Sequence, residues 1–200
     1  MSDSPVADRP GLRERKKART KAAIQDAALR LFGEQGYENT TVEQIADAAE
    51  VSPSTFFRYF GSKEDVVLYD ALDPILIGAF RAQPPEMSPV QAMRAAMKQV
   101  FDGLGQSYIE EMSVRGRLVY QVPELREAMV NDMIRTSTLF AQEIARRVGR
   151  PPDDFEVRVF TGAIMGALLA GLLPAMLEEH PDYMKSVEPV FDFLEKGMPI

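Results

Sequence analysis

The chain has 200 residues, is 46% hydrophobic with both charge signs abundant, and carries a formal net charge of −7 and no cysteine. That composition excludes a disordered chain, and the missing cysteines exclude disulfides, thiolate zinc sites and cysteine nucleophiles. An acidic average also argues against a polyanionic partner, unless the basic residues are gathered in one place.

They are gathered at the start. From Arg9 to Lys21 seven basic residues stand against Glu14 alone, so an acidic chain carries a strongly positive arm. The N-terminal stretch lacks the apolar central segment of a secretory signal, and the expected location is cytoplasmic. Ile24, Ala27, Ala28 and Leu31 fall at i, i+3, i+4 and i+7, which predicts an amphipathic helix with Phe32 beside its stripe and Gly36 near its end. Arg13, Lys16 and Lys17 are expected just before it, placed to follow a phosphate backbone. Thr40-Thr41-Val42-Glu43 fits a capping box between Thr40 and Glu43, opening a short helix through Ala49 with Val42, Ile45, Ala46 and Ala49 inward.

Ser52-Pro53 is a second start signal, a capping hydroxyl followed by a residue whose missing N–H costs nothing in the first turn. At about 100° per residue, Phe56, Tyr59 and Phe60 share one side of the helix that follows, and Ser54, Phe57 and Arg58 another. Phe56 and Phe60 are assigned to the core. The other side shows hydroxyls that bond phosphates or base edges, a guanidinium that forks onto guanine or phosphate, and a ring that packs on sugar or a thymine methyl. Glu50-Val51-Ser52 joins the two short helices, a turn of the length found in helix-turn-helix units.

A basic first helix followed by TTVEQIADAAEVSPSTFFRYFGSKEDVV resembles the N-terminal DNA-binding domain of the TetR family of transcriptional regulators, over about residues 12–70. The resemblance implies phosphate-binding roles for Thr41 and Lys63, a base-reading face of Ser54, Thr55, Phe57 and Arg58, and a Tyr59 hydroxyl turned toward a phosphate. It also implies a DNA-binding domain over residues 1–66, a helical ligand-binding and dimerisation domain over 67–200, and a linking helix from Ser62 to Phe80. Members work as homodimers on near-palindromic double-stranded operators and commonly repress until a small-molecule effector binds. One departure is Glu50, where the family places a glycine in left-handed conformation.

The rest of the chain also reads as helix, so the expected fold is all-α, an N-terminal three-helix unit followed by a larger helical domain. Ser88-Pro89-Val90-Gln91 is a further capping box, Pro123 opens a long helix toward Val148, and Asp153-Asp154 opens another. Val159 to Leu177 runs 19 residues without a charge. A membrane span and a core helix are both open readings of it, with the second preferred because its small residues suit close helix packing and Pro174 interrupts its end. By the resemblance, that helix and the last one form a homodimer interface through Gly162, Gly166, Ala170, Phe191 and Leu194. Met97, Phe101, Met129, Met133 and Met165 hint at an adaptable pocket for an apolar, aromatic or acyl-bearing effector, with Arg115 and Tyr120 as polar anchors. No cofactor or metal is expected. An enzyme is not supported either: His180 is the single histidine, and the neighbouring acids Glu178-Glu179 and Asp153-Asp154 point about 100° apart on a helix. The remaining rival is a helical carrier of hydrophobic ligands without regulatory DNA binding.

Overall fold

The computed structural model describes residues 11–178 and 181–199; Arg9, Glu179 and His180 lie outside the described residues. Those described form ten α-helices and no strand, in two compact units that divide between Val67 and Leu68.

The first unit holds α1 (Leu12–Gln35), α2 (Val42–Ala48), α3 (Pro53–Tyr59) and α4 (Lys63–Leu68). α1 starts earlier than its apolar stripe predicts. Arginine and lysine are good helix formers and Glu14 lies in the first turn, where the helix dipole favours an acid. Arg13, Lys16 and Lys17 therefore stand on the helix instead of preceding it. The capping box at α2 is also one residue later than expected: Thr41 Oγ1 accepts from the Gln44 N–H at 3.3 Å, and Gln44 Oε1 accepts from the Thr41 N–H at 2.9 Å. Thr40 is buried, its hydroxyl donating to the Gly36 carbonyl at 2.8 Å. Ile24, Ala28 and Phe32 of α1, Ile45 and Ala46 of α2, Phe56, Phe60, Val66 and Val67 make the core. Buried Gln25 donates to the Val66 carbonyl at 2.9 Å, satisfying an acceptor that the short α4 leaves open.

The second unit holds α5 (Leu72–Ala82), α6 (Pro89–Phe101), α7 (Gln106–Gln121), α8 (Pro123–Val148), α9 (Phe155–Ala175) and α10 (Tyr183–Glu195). Ser88 and Gln91 form the expected reciprocal box, Pro123 occupies the first turn of α8, and Gly149 ends α8 in left-handed conformation at φ 69°. At α9 the capping carboxylate is that of Asp154, which accepts from the Glu156 and Val157 N–H groups. Phe80, Met93, Met97, Phe140, Ile144, Ile164, Leu168, Val187 and Phe191 form one continuous core. Arg147 donates to the carbonyl oxygens of Gln83 at 2.8 Å and Pro84 at 2.7 Å, closing the open end of α5 from α8. Arg94 of α6 likewise binds Glu188 and Asp192 of α10.

The single linking helix expected from Ser62 to Phe80 is interrupted at Tyr69-Asp70-Ala71. Asp70 Oδ1 accepts from the Leu72 N–H at 2.8 Å, a local bond that competes with helix continuation. α9 is long and apolar enough to cross a membrane by length and composition, yet Val157, Thr161, Ile164, Leu168 and Ala175 lie buried within its own unit.

Candidate nucleic-acid interface

The turn between α2 and α3 carries the backbone feature that the sequence marks at Glu50. Its φ is 53°, the left-handed region that glycine enters without penalty. The chain then enters α3 through Ser52, whose Oγ accepts from the Thr55 N–H at 3.1 Å and lies 2.9 Å from Ser54 Oγ and 3.0 Å from Thr55 Oγ1. Ser52 thus ties two hydroxyls of the outer face into one network, a role beyond the capping that its place in the sequence makes legible.

α3 divides as its periodicity requires. Phe56 and Phe60 are buried, with ring centroids 6.0 Å apart, and Tyr59 is half-buried. Ser54, Phe57 and Arg58 are exposed and Thr55 is partly so; Phe57 keeps 55% of its surface open. The Arg58 guanidinium lies over the Tyr59 ring at 5.1 Å. Those two side chains are therefore presented together, with hydroxyl and guanidinium donors suited to phosphate or base edges.

Thr41 is exposed at the head of α2. Its oxygen already accepts from Gln44, which leaves its O–H proton for an outside acceptor such as a phosphate oxygen. Gln35 steadies this corner by donating to Gln44 Oε1 at 2.9 Å and Thr40 Oγ1 at 3.1 Å. The Thr41–Gln44 spacing is as visible in the sequence as Thr40–Glu43, and burial of Thr40 decides between them. Lys63 is engaged inward: its ammonium donates to the carbonyls of Tyr37 at 2.9 Å and Thr40 at 3.4 Å and sits 4.1 Å from the Tyr37 ring. It has one N–H left for a phosphate. Arg13, Lys16 and Lys17 are exposed, on a stretch of α1 from Leu12 to Arg19 that is exposed on every side.

The body residues singled out for an effector do not assemble as one lining. Met97 is sealed in the core, Phe101 and Met165 are partly buried against it, Met129 and Met133 are half-buried on α8, and Tyr120 is half exposed at the end of α7. An apolar groove of about 420 Å³ between α5 and α6 is lined by Leu72, Ile75, Ala79, Gln99, Val100 and Leu104 among others, and by none of those six, nor by Arg115. Arg115 is 6% exposed and reaches the Tyr69 carbonyl, with Asp70 and Glu111 each 3.6 Å away. On α9, Gly162, Gly166 and Ala170 are exposed, flanked by Phe155, Val159, Leu173 and Leu177. Phe191 is a correction: it is fully buried in its own core and presents nothing to a partner, while Phe193, with 40% of its surface open, is the outward ring of α10. Leu194 packs partly against the core.

A capped two-helix reading unit beside a basic helix, followed by a separate helical body, defines a helix-turn-helix transcriptional regulator. Residues 24–69 match the bacterial regulatory proteins of the tetR family, and residues 87–199 match the MftR C-terminal domain. The chain belongs to the TetR family of DNA-binding transcriptional regulators, a family of regulators and not of enzymes. The HTH-type transcriptional regulator TcmR of Streptomyces glaucescens is 40% identical over 152 residues, covering 72% of this chain and 67% of that protein. The putative mycofactocin biosynthesis transcriptional regulator MftR of Mycobacterium tuberculosis is 25% identical over 186 residues, covering 92% and 93%. Among solved structures, the TetR-family repressor FadR of Thermus thermophilus in complex with lauroyl-CoA shares the fold, with a TM-score of 0.57 over 90% of this chain and 95% of that one at 23% identity.

Proposed function

We propose that this protein is a homodimeric repressor that reads a near-palindromic operator through α3 and leaves it when a small apolar, aromatic or acyl-bearing effector enters the body. The observation that carries the DNA reading is the division of α3: its large rings anchor it in the core while Ser54, Phe57 and Arg58 face outward. Thr41, Tyr59 and the third N–H of Lys63 supply phosphate contacts, and Arg13, Lys16 and Lys17 add the sequence-neutral attraction that a two-turn helix lacks. The head is residues 1–66 and the body 67–200.

The apolar exposed stripe of α9 supports a twofold interface there, and twofold symmetry matches half-sites about 34 Å apart. The effector class is supported by the methionine- and aromatic-rich body and by the acyl ligand of the Thermus thermophilus relative. Release requires the effector to bind one state of the dimer better than the other. The Tyr69–Ala71 interruption, held by Arg115, is the element such a ligand would bias. The DNA it reads sets its place of work in the cytoplasm.

Selection of bound duplexes from a random pool, followed by footprinting of the purified protein on its own promoter, tests this reading. A recovered near-palindrome supports it. Absence of any preferred duplex would leave a hydrophobic-ligand carrier as the better description.

A further inference from the structure

Phe57 differs in kind from its neighbours on the outer face of α3. Ser54 and Arg58 carry donors and acceptors and can be matched to the polar edges of bases or to phosphates. A phenyl ring carries neither. A lone exposed ring is ordinary on a protein surface, but this one has 55% of its surface open in the middle of the face that meets DNA. It also has a fixed neighbour. Its ring meets that of Phe56 edge-on, at 5.4 Å and 83°, and Phe56 is fully buried, so this contact favours one direction of the Phe57 ring. An apolar group biased toward one direction has less rotamer freedom to lose on binding.

The major groove offers one apolar group that projects from a base edge, the C5-methyl of thymine; the rest of each edge is polar donors and acceptors or flat ring C–H. 5-Methylcytosine puts the same methyl at the same place on a different donor and acceptor pattern. We propose that Phe57 makes this protein a reader of the pyrimidine C5-methyl group, so that one position in each half-site requires a methylated pyrimidine: thymine, or cytosine once it is 5-methylated. This rests on the operator-reading proposal above and adds to it a chemical class of base, together with sensitivity to cytosine methylation at that position.

The test uses the full chain and the tightest duplex recovered from a random pool. Each thymine is replaced singly by deoxyuridine, which removes the methyl and leaves the hydrogen-bond pattern unchanged. One thymine per half-site should lose about fourfold in affinity on that exchange, the value of one buried methyl, and replacing both should lose roughly tenfold or more. At the same position a 5-methylcytosine·guanine pair should bind more tightly than cytosine·guanine by a similar factor. F57A, a surface change, should bind thymine and uracil duplexes equally, and F57L should keep part of the discrimination. Wild type indifferent to every uracil exchange, or F57A as sensitive as wild type, overturns the methyl reading while leaving DNA binding intact. A consensus without thymine in either half-site overturns it in the same way. Recovery of no duplex at all removes the operator reading and this proposal with it.

Discussion

Arg115 of α7 donates a guanidinium N–H to the carbonyl oxygen of Tyr69, in the interruption between α4 and α5. Around the same guanidinium stand Asp70 and Glu111, each 3.6 Å away, and the ring of Tyr108 at 5.9 Å, whose hydroxyl donates to Asp70 at 2.9 Å. Burial first, then the neighbouring Asp70 charge, pushes the Tyr108 phenol well above its usual range, so it stays a donor at any physiological pH. Arg115 Nε is buried without a hydrogen bond. One cation therefore faces a helix-free carbonyl and two carboxylates.

Replacing Arg115 by methionine keeps the volume and removes the charge, leaving the Tyr69 carbonyl without its donor and the two acids without their countercharge. The loss is expected to be about 2–3 kcal/mol of unfolding free energy, less than for a fully buried pair because Asp70 and Glu111 remain partly exposed. Lysine should recover part of it, since it supplies charge without the planar fork. Urea midpoints at constant slope measure both, and an unchanged R115M midpoint would show that the interruption holds without the arginine.

Asp73, in the first turn of α5, gives the fold a dependence on pH. Burial first, then the charges of Asp70 and Asp132, raise its pKa above the usual value, with the Thr136 hydroxyl and Arg135 opposing. A carboxyl raised on folding is easier to ionise in the unfolded chain. It costs nothing below its unfolded pKa of about 3.9, and its penalty is complete once pH exceeds the folded pKa. D73N should raise Tm at neutral pH, with the gain shrinking as pH falls toward about 4. A gain independent of pH would assign the effect to packing.

Glu50 holds a left-handed φ of 53° in the reading turn. Glycine removes the Cβ conflict at the cost of greater freedom in the unfolded chain, so E50G should stabilise the head by about 0.5 kcal/mol net. Thermal melts of the two proteins decide it, and a destabilised E50G would mean that the glutamate side chain makes up the difference.

The head is legible because its signals are local: the cap at Ser52, ring spacing along α3, and a turn residue whose departure from glycine appears as a positive φ at Glu50. The body is less so. α7 begins after Gly105 with no side-chain cap, and its buried face mixes Ser113, Arg115 and Gly116, which leaves no apolar stripe to read. Phe191 and Phe193 sit two apart on one helix, and only the packing of α10 on α6 and α9 shows that the first faces the core and the second faces outward. The break at Tyr69–Ala71 combines a local bond, the Leu72 N–H to Asp70, with a distant one, Arg115 on the Tyr69 carbonyl more than forty residues further along the chain, so the sequence announces only the first part.

The basic turns of α1 should act through charge alone. Arg13, Lys16 and Lys17 are exposed, and each phosphate they neutralise contributes about 0.9 to the slope of log affinity against log salt. Replacing them singly by alanine should lower that slope by about one for each phosphate no longer neutralised, and should weaken all duplexes alike. A gel-shift titration at several salt concentrations measures both quantities. Altered sequence preference in any of the three variants would move that residue from phosphate to base contact.

Two glycines of α9 distinguish the proposed interface from the core. A Cβ at Gly171 would lie 2.5 Å from Val190 Cγ2 and 3.2 Å from the Ser186 carbonyl, so α10 packs on this position and part of the obstacle is backbone. A Cβ at Gly166 meets nothing within 4 Å of its own chain. G171A is therefore expected to destabilise the chain by about 1 kcal/mol, the overpacking cost less what alanine gains in helix propensity. G166E should keep the helical circular dichroism of the parent, yet it places a charge on the apolar stripe that two copies would share. Sedimentation should then show a monomer, and operator affinity should fall by about a hundredfold or more, because two linked heads bind far more tightly than one. A G166E dimer with parental affinity would move the interface off α9, and a G166E protein that fails to fold would mean that this open face is closed by the chain itself.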